Sequence, residues 1–327
     1  MKVIIPAAGK GTRLRPFTLW EPKPMLFVAG DSIIGHILSI LEGLEIDEYR
    51  IVINPEGSMT EMLRKAYPGK PFSFHVQDSP LGLGHAVLQG LAGLGDEPVL
   101  VLLADTIIPF NLQDALASLG SGEGFLVAKQ VDDPSRFGVI EKDGDFISRL
   151  VEKPKEAKSR LAICGIYYLA SAERLRDAIE ELVAKDIRTA EEYQFTDALS
   201  ILIEEGERLR TVEVKTWIDC GTSDALLDAN RILLKRNSRV VTLKGLLIKP
   251  PCWIADDVKI TNSIVGPYVS VARGTEITDS ILSNCIINRH ADIQDSVLKG
   301  SIVGFKGVVK GRTLSADVGP FTRIEPI

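Results

Sequence analysis

The chain has 327 residues, more than one compact core usually takes, and its 45% hydrophobic and 25% charged residues match an ordinary globular protein. A formal net charge of -6 argues against whole-protein binding to nucleic acid, which leaves a basic footprint, so any positive charge that matters is local. No apolar run approaches the ~18 residues of a membrane span.

Short apolar runs alternate with helical patterns from residue 1 to about 235. Lys2–Ile5 reads as a strand. Over 32–43 the helical spacing puts Ile33, Ile34, Ile37, Leu38 and Leu41 on one face. The spacing then predicts a strand over Tyr49–Ile53, a helix over Met59–Ala66, a strand over Ser73–Val76 and a helix over Gly84–Leu91. Pro98–Ala104 is apolar throughout, as in a strand buried on both faces. This rhythm implies an α/β fold with a doubly wound, mostly parallel sheet, Rossmann-like in plan, whose ligands sit at the carboxyl ends of the strands. That arrangement makes the loops 7–15 and 104–106 face each other at one edge. Residues 229–238 read as a helix bridging to the C-terminal third of the chain.

The pattern changes near Leu243. Apolar residues recur every five or six positions, at Ile254, Ile260, Val265, Val271, Ile277, Leu282, Ile287, Ile293, Leu298, Ile302 and Val308. Thr261-Asn262-Ser263-Ile264-Val265 returns as Thr278-Asp279-Ser280-Ile281-Leu282 and again as Gln294-Asp295-Ser296-Val297-Leu298. A repeat of 17 and then 16 residues matches one coil of a three-sided parallel β-helix, ending near Arg312. The alternative, an antiparallel β-sandwich, has no reason to keep so regular a period. The expected domains are 1–238 and 239–327.

The chemistry concentrates in a few stretches. Gly9-Lys10-Gly11-Thr12-Arg13-Leu14-Arg15 follows the first strand, but lacks the spacing of a P-loop and the third glycine of a dinucleotide fingerprint. Taken alone, it is equally a structural turn that uses glycine for positive φ. Lys23 stands between Pro22 and Pro24, on stiff backbone suited to positioning a point charge at phosphate. Asp105 ends the all-apolar strand, where the competing role is a helix N-cap. Cys164, Cys220, Cys252 and Cys285 form no CxxC pair and read as free thiols of a reducing compartment. The start, Met1-Lys2 and then a strand, has no long apolar leader, so the expectation is a cytoplasmic protein.

The run AAGKGTRLRPFTLWEPKPML resembles the G-x-G-T-R-x-x-P…P-K signature of the sugar-1-phosphate nucleotidylyltransferases, and the resemblance continues to about residue 235. It implies transfer of a nucleotidyl group from a nucleoside triphosphate, dTTP or UTP favoured, to a sugar-1-phosphate, glucose-1-phosphate favoured. It also implies a C-terminal left-handed β-helix of hexapeptide repeats. By the resemblance Arg13 and Lys23 are catalytic, and Ala8, Gly9, Gly11, Gln77 and Gly82 bind the nucleotide, with Gln77 reading the pyrimidine edge. Gly138, Glu152, Lys153 and Tyr168 bind the sugar. Asp105 and Asp219, the latter in Trp217-Ile218-Asp219-Cys220-Gly221-Thr222, hold Mg²⁺. One departure concerns the segment before Thr196-Asp197, which has no arginine in register; Arg188 is the nearest. Two rival readings are a non-catalytic sugar-nucleotide-binding homologue and a bifunctional enzyme with acetyl transfer in the β-helix, where His290 is the sole histidine. The β-helix is otherwise read as a device for assembly into a homo-oligomer.

Overall fold

The computed structural model describes residues 1–239, 246–311 and 316–325. By packing, the chain divides into one unit of residues 1–9 and 37–217 and a second of residues 10–36 and 218–327. This division differs from the sequence boundary at 238/239, because residues 10–36, which carry Arg13 and Lys23, group with the C-terminal part. The expected change of pattern at Leu243 and the expected end near Arg312 lie outside the described residues.

Nine strands of the first unit form one sheet. They are β1 (Lys2–Pro6), β2 (Glu48–Ile53), β3 (Phe72–Val76), β4 (Val99–Leu102), β5 (Glu123–Gln130), β6 (Gly138–Asp143), β7 (Phe146–Glu152), β8 (Leu161–Leu169) and β9 (Arg208–Glu213). Their order is β3-β2-β1-β4-β8-β5-β9-β7-β6. The first four run parallel, with Ile4 opposite both Arg50 and Val101. The parallel run ends there. β8 is antiparallel to β4 and β5, and β7 is antiparallel to β6 and β9. The mostly parallel sheet expected from the sequence is therefore corrected to a mixed one. For β6 and β7 the reason is local: the turn at Gly144, with φ +60°, joins them, and so short a connection can link only antiparallel strands.

Hydrophobic period places the helices on this sheet. The helix Leu83–Leu91 buries Ala86, Val87 and Leu91 and lies against β1. A Cβ at Gly90 would stand 2.5 Å from Ile4 Cγ2, so glycine there lets helix and strand close. The helix expected over 32–43 is shorter, Ile33–Ser39, with the Ser32 hydroxyl accepting from the Gly35 N–H at 3.0 Å. All five residues of its predicted apolar face are buried nonetheless. Among the described residues, no helix is long and apolar enough to cross a membrane.

In the second unit, short strands stack in parallel. Ile260 pairs with Ile277, and Ile277 with Ile293. Cys252, Val269, Cys285 and Ser301 stack in the same way on another face. These parallel pairings exclude the antiparallel sandwich for the described residues. The serines of the repeat explain its regularity. Ser263, Ser280 and Ser296 are buried. The Ser263 hydroxyl accepts from the Ser280 N–H at 3.0 Å, and the Ser280 hydroxyl from the Ser296 N–H at 3.1 Å. Asn262, Asp279 and Asp295 precede them at φ +46° to +50°, a left-handed bend that these side chains tolerate. Two apolar assignments slip by one residue. Val303 and Val309, rather than Ile302 and Val308, join the stack's core, because they pair with Ile287 and Ile293.

The helix read over 229–238 is instead Ser223–Leu234, within the second unit, and is capped by the Thr222 hydroxyl, which accepts from the Ala225 N–H at 3.2 Å. Its Asn230 is fully buried. The amide oxygen accepts from the Ala29 N–H at 3.1 Å and from the Ser270 hydroxyl at 2.5 Å. The amide nitrogen donates to the Tyr268 carbonyl at 3.1 Å and the Cys285 carbonyl at 3.5 Å. One side chain thus joins residues 10–36, the helix and the stack, with its full hydrogen-bonding capacity used. Asn230→Ala leaves several of these buried groups unpaired, and a loss of about 3 kcal/mol or more in urea unfolding is expected. An unchanged midpoint contradicts this role.

Candidate active site

β1 and β4 run parallel, so the residues beyond them, Ala7–Gly9 and Leu103–Asp105, leave the sheet at the same edge. Ala8 is tied by its carbonyl, which accepts from Asn54 Nδ2 at 3.4 Å. Gly9 is exposed, and a Cβ there would meet nothing within 4 Å. Gln77 comes directly after β3 on the same side of the first unit and is 7% exposed. Its Nε2 donates to the Gly82 carbonyl at 3.2 Å and to His85 Nδ1 at 3.1 Å. Burial holds the His85 imidazole below the usual histidine range, which keeps the ring neutral and able to accept. Both amide protons of Gln77 are thereby engaged, and the group left to address a ligand is the carbonyl oxygen, an acceptor. Gly82 has φ +115°, and a Cβ there would come within 2.7 Å of the Tyr193 carbonyl oxygen. Glycine is needed at this turn by the backbone of Tyr193 itself.

A second group gathers around Glu152 at the end of β7. The Thr196 hydroxyl donates to Glu152 Oε2 at 2.8 Å, and Lys153 Nζ lies 3.3 Å from Oε1. Lys153 adopts φ +44°, and its N–H donates to the Phe137 carbonyl at 3.0 Å. Gly138 is closed in from this side: a Cβ there would stand 3.0 Å from Thr196 Oγ1 and 3.1 Å from Glu152 Oε2. Asp197, one residue beyond Thr196, has its carboxyl pushed up by burial, reinforced by the charge of Glu152. Its Oδ2 is buried without a hydrogen-bond partner. Tyr167 is pushed up as well, first by burial and then by nearby groups, the carboxylates of Glu152 and Asp105 among them. Asp105 and Glu152 are therefore electrostatic neighbours of one phenol.

Tyr168 is placed differently. Side chains alternate along β8, and Tyr168 stacks on Phe125, with centroids 5.7 Å apart, while Tyr167 packs edge-on to Phe195 at 4.8 Å. The structure brings Tyr167, Thr196 and Asp197 to the Glu152 group, and it turns Tyr168 to the other face. The sequence alone does not point to these three residues; Thr196-Asp197 serves there only as a landmark. Arg188, the nearest arginine to the empty register, is committed elsewhere. Its Nε donates to Asp186 at 2.7 Å and its Nη2 to the Tyr193 hydroxyl at 3.0 Å.

Asp105 is half-buried and accepts from the Thr106 hydroxyl at 3.2 Å. In the second unit Asp219 is exposed, with its carboxylate beside Gly221, where a Cβ would lie 3.0 Å from Oδ1. Both offer oxygen only. No group of three or more His, Cys, Asp and Glu residues able to hold a metal occurs among the described residues. Each carboxylate, taken by itself, offers the hard oxygen donor that an ion such as Mg²⁺ takes. The four cysteines are buried, and burial pushes the thiols of Cys164 and Cys285 up to about 12 and about 11.

The remaining cations lie in the second unit. Gly11 adopts φ +59° and opens the 3-10 turn Thr12–Leu14, in which Leu14 is buried and Arg13 exposed. The Gly11 carbonyl accepts from the Thr18 hydroxyl at 2.8 Å. A Cβ at Gly11 would stand 3.1 Å from Lys23 Cβ, so the loop and the lysine pack closely. Lys23 begins a second turn, Lys23–Met25, over buried Pro24 and Met25. His290 in the stack has φ +57° and packs on Gly274, where a Cβ would be 2.3 Å from its Nδ1; its contacts are those of a packing residue.

A family model described as nucleotidyl transferase matches residues 2–236. A glucose-1-phosphate thymidylyltransferase of Streptomyces griseus is 28% identical over 334 residues, which cover 93% of this chain and 92% of that protein. The bifunctional protein GlmU of Stutzerimonas stutzeri is 28% identical over all of this chain and 73% of its own. Among solved structures, one assigned as a glucose-1-phosphate thymidylyltransferase from Bacillus anthracis, in complex with sucrose, superimposes with a TM-score of 0.63 and 27% identity. It covers 74% of this chain and 98% of that one.

Two glycines of the site separate strain from openness. Gly82→Ala is expected to cost roughly 1–3 kcal/mol in urea unfolding, from the left-handed φ and the clash with Tyr193. Gly9→Ala, which meets open space, is expected to stay within about 0.5 kcal/mol of the parent. Equal midpoints for the two variants contradict this assignment.

Proposed function

The chain belongs to the nucleotidyl transferase family, and from that premise we propose that it joins a nucleoside triphosphate to a sugar-1-phosphate, releasing an NDP-sugar and pyrophosphate. An oxygen of the sugar phosphate attacks the α-phosphorus in line. The bond from that phosphorus to the bridging oxygen breaks, and its electron pair leaves on pyrophosphate. Two polyanions must meet, so most of the barrier is charge repulsion and positioning. Arg13 holds the departing β- and γ-phosphates, and Lys23 offsets charge that grows at the α-phosphate. Ala8, Gly9 and Gly11 line the triphosphate. Gly138, Glu152 and Lys153 take the sugar-1-phosphate, glucose-1-phosphate being favoured. Asp105 and Asp219 are the residues suited to hold Mg²⁺, which when bound supplies charge neutralisation at the phosphates.

One observation carries the reading. The cations sit on constrained backbone, Arg13 in a turn opened by left-handed Gly11 and Lys23 between two prolines. Surface cations that only solvate need no such restraint. The arrangement at Gln77 supports the base preference. An acceptor held by His85 and Gly82 matches the imide N–H of uracil or thymine and mismatches the ring-nitrogen acceptor of cytosine or adenine, so UTP and dTTP are favoured over CTP and ATP. His85→Ala is expected to raise KM for UTP and dTTP about tenfold and to narrow the margin over CTP. Unchanged base selectivity contradicts this use of Gln77.

A left-handed β-helix is our reading of the parallel stack, and its place is in assembly. Leu247, Ile281 and Val297 are 52%, 45% and 39% exposed. They fall in one line, because Leu247 pairs with Ile264, Ile264 with Ile281 and Ile281 with Val297. An exposed apolar ladder on a regular face suits pairing with a second copy. We place the protein in the cytoplasm, where its four buried thiols stay reduced. Ile281→Lys is expected to lower the oligomeric mass in light scattering, and an unchanged mass contradicts the interface.

The test of activity is pyrophosphate release from a matrix of nucleoside triphosphates and sugar-1-phosphates. UTP or dTTP with glucose-1-phosphate is expected to give the highest kcat/KM. Lys23→Ala is expected to lower turnover by roughly 10²–10³ with the fold intact. Near-parental turnover in that variant overturns the assignment.

A further inference from the structure

The buried carboxylate of Glu21 lies two residues before Lys23, and nothing in the reaction as described uses it. Glu21 is 2% exposed, unusual for a charged residue. Its partners are more than 260 positions away in sequence, on one coil of the stack. Asn288 Nδ2 donates to Glu21 Oε2 at 2.9 Å, and the Arg289 guanidinium bonds Oε1. Asn288 is itself fixed. Its Oδ1 accepts from the Arg289 N–H at 2.7 Å, its own N–H donates to the Val303 carbonyl at 2.8 Å, and its carbonyl accepts from the Thr275 hydroxyl at 3.1 Å. The contact is flanked on both sides. Trp20 stacks on Phe305, with centroids 6.0 Å apart, and meets Phe321 edge-on at 4.7 Å. Pro16 fits against Gly319, where a Cβ would stand 2.8 Å from its ring.

From this geometry we infer that the stack sets the position of Lys23, with Glu21 and Arg289 as positioning residues. The inference rests on the reading of Lys23 as the group that meets the α-phosphate. Between Glu21 and Lys23 stands only Pro22, and Pro24 comes next, so the backbone has little freedom to absorb a displacement. The Lys23 turn closes with the Met25 N–H on the Pro22 carbonyl at 2.8 Å and the Leu26 N–H on the Lys23 carbonyl at 3.1 Å. A carboxylate buried with a guanidinium and an amide on a rigid coil has one favourable location. The lysine two residues on inherits it. The stack therefore takes part in the chemistry without touching substrate.

The test is steady-state kinetics on the full-length protein, with UTP and glucose-1-phosphate or the best pair from the substrate matrix. Arg289→Ala is expected to lower kcat by roughly 10²-fold with little change in KM, the effect of misplacing a group that acts in the transition state. Arg289→Lys, which keeps the charge, is expected to recover most of that loss. Glu21→Gln, which keeps volume and the Asn288 contact, is expected to lower kcat in the same way and supplies the measurement should Arg289→Ala not fold. The decisive comparison is the pair of changes in a Lys23→Ala background. If Arg289 acts through Lys23, Arg289→Ala costs almost nothing further there. An equal loss with and without Lys23 overturns the positioning role while leaving the activity assignment standing. Full turnover of Lys23→Ala alone overturns the activity assignment instead.

Discussion

A single buried carboxylate governs how residues 10–36 are built. Glu21 cannot stay charged and buried without partners, since an isolated carboxylate in a low-dielectric interior costs far more than a domain's net stability. It finds those partners on the stack, in Asn288 and Arg289. Residues 10–36 consequently pack with the C-terminal part of the chain. Asn230 makes the same join at the other end of the segment, through Ala29. Between these two anchors runs the turn that Lys23 begins, and the turn opened by Gly11 precedes both. The segment's conformation is set by where its buried polar groups find partners, because such groups are satisfied or they unfold the site.

The first unit uses the same logic with opposite sign. Asp105, Glu152 and Asp197 gather their carboxyl groups around Tyr167. Burial raises both the Tyr167 phenol and the Asp197 carboxyl, and the charge of Glu152 adds to each. Such a concentration of negative charge is unfavourable unless ligands offset it. The Thr196 hydroxyl and Lys153 moderate it at Glu152. Around Gln77, charge is replaced by shape. Gln77 is held by neutral His85 and the Gly82 carbonyl, so its amide has a fixed orientation. The labour is thus divided between cations on stiff turns, carboxylates at strand ends and a single oriented amide.

Much of this is legible in the sequence, and the exceptions have identifiable causes. The run from Ala7 to Lys23 carries a signature specific enough to identify the family, because glycines, arginine and lysine all fall in register. The 17- and 16-residue repeat discloses the stack, since its serine ladder needs the same side chain once per coil. The hidden features depend on contacts between distant residues. Glu21 stands inside the signature run, but a lone glutamate beside proline reads as solvated surface until Arg289 is seen against it. Thr196, Asp197 and Tyr167 reach Glu152 only through the folding of three separate elements. The slip from Val303 to Ile302, and from Val309 to Val308, comes from continuing a five-to-six-residue spacing where the true constraint is pairing with the coil before. The sheet reads as mostly parallel because the first four strands are, and the antiparallel β6–β7 hairpin announces itself only by Gly144.

We propose that catalysis is one in-line displacement between two bound polyanions, arranged by placed charge and without a covalent intermediate. The stereochemical course at the α-phosphorus tests it most directly. With UTP carrying sulfur at the α-phosphorus in a single configuration, a single displacement predicts an NDP-sugar of inverted configuration, read by ³¹P NMR. Retained configuration, the mark of two successive displacements through a nucleotidylated side chain, contradicts it.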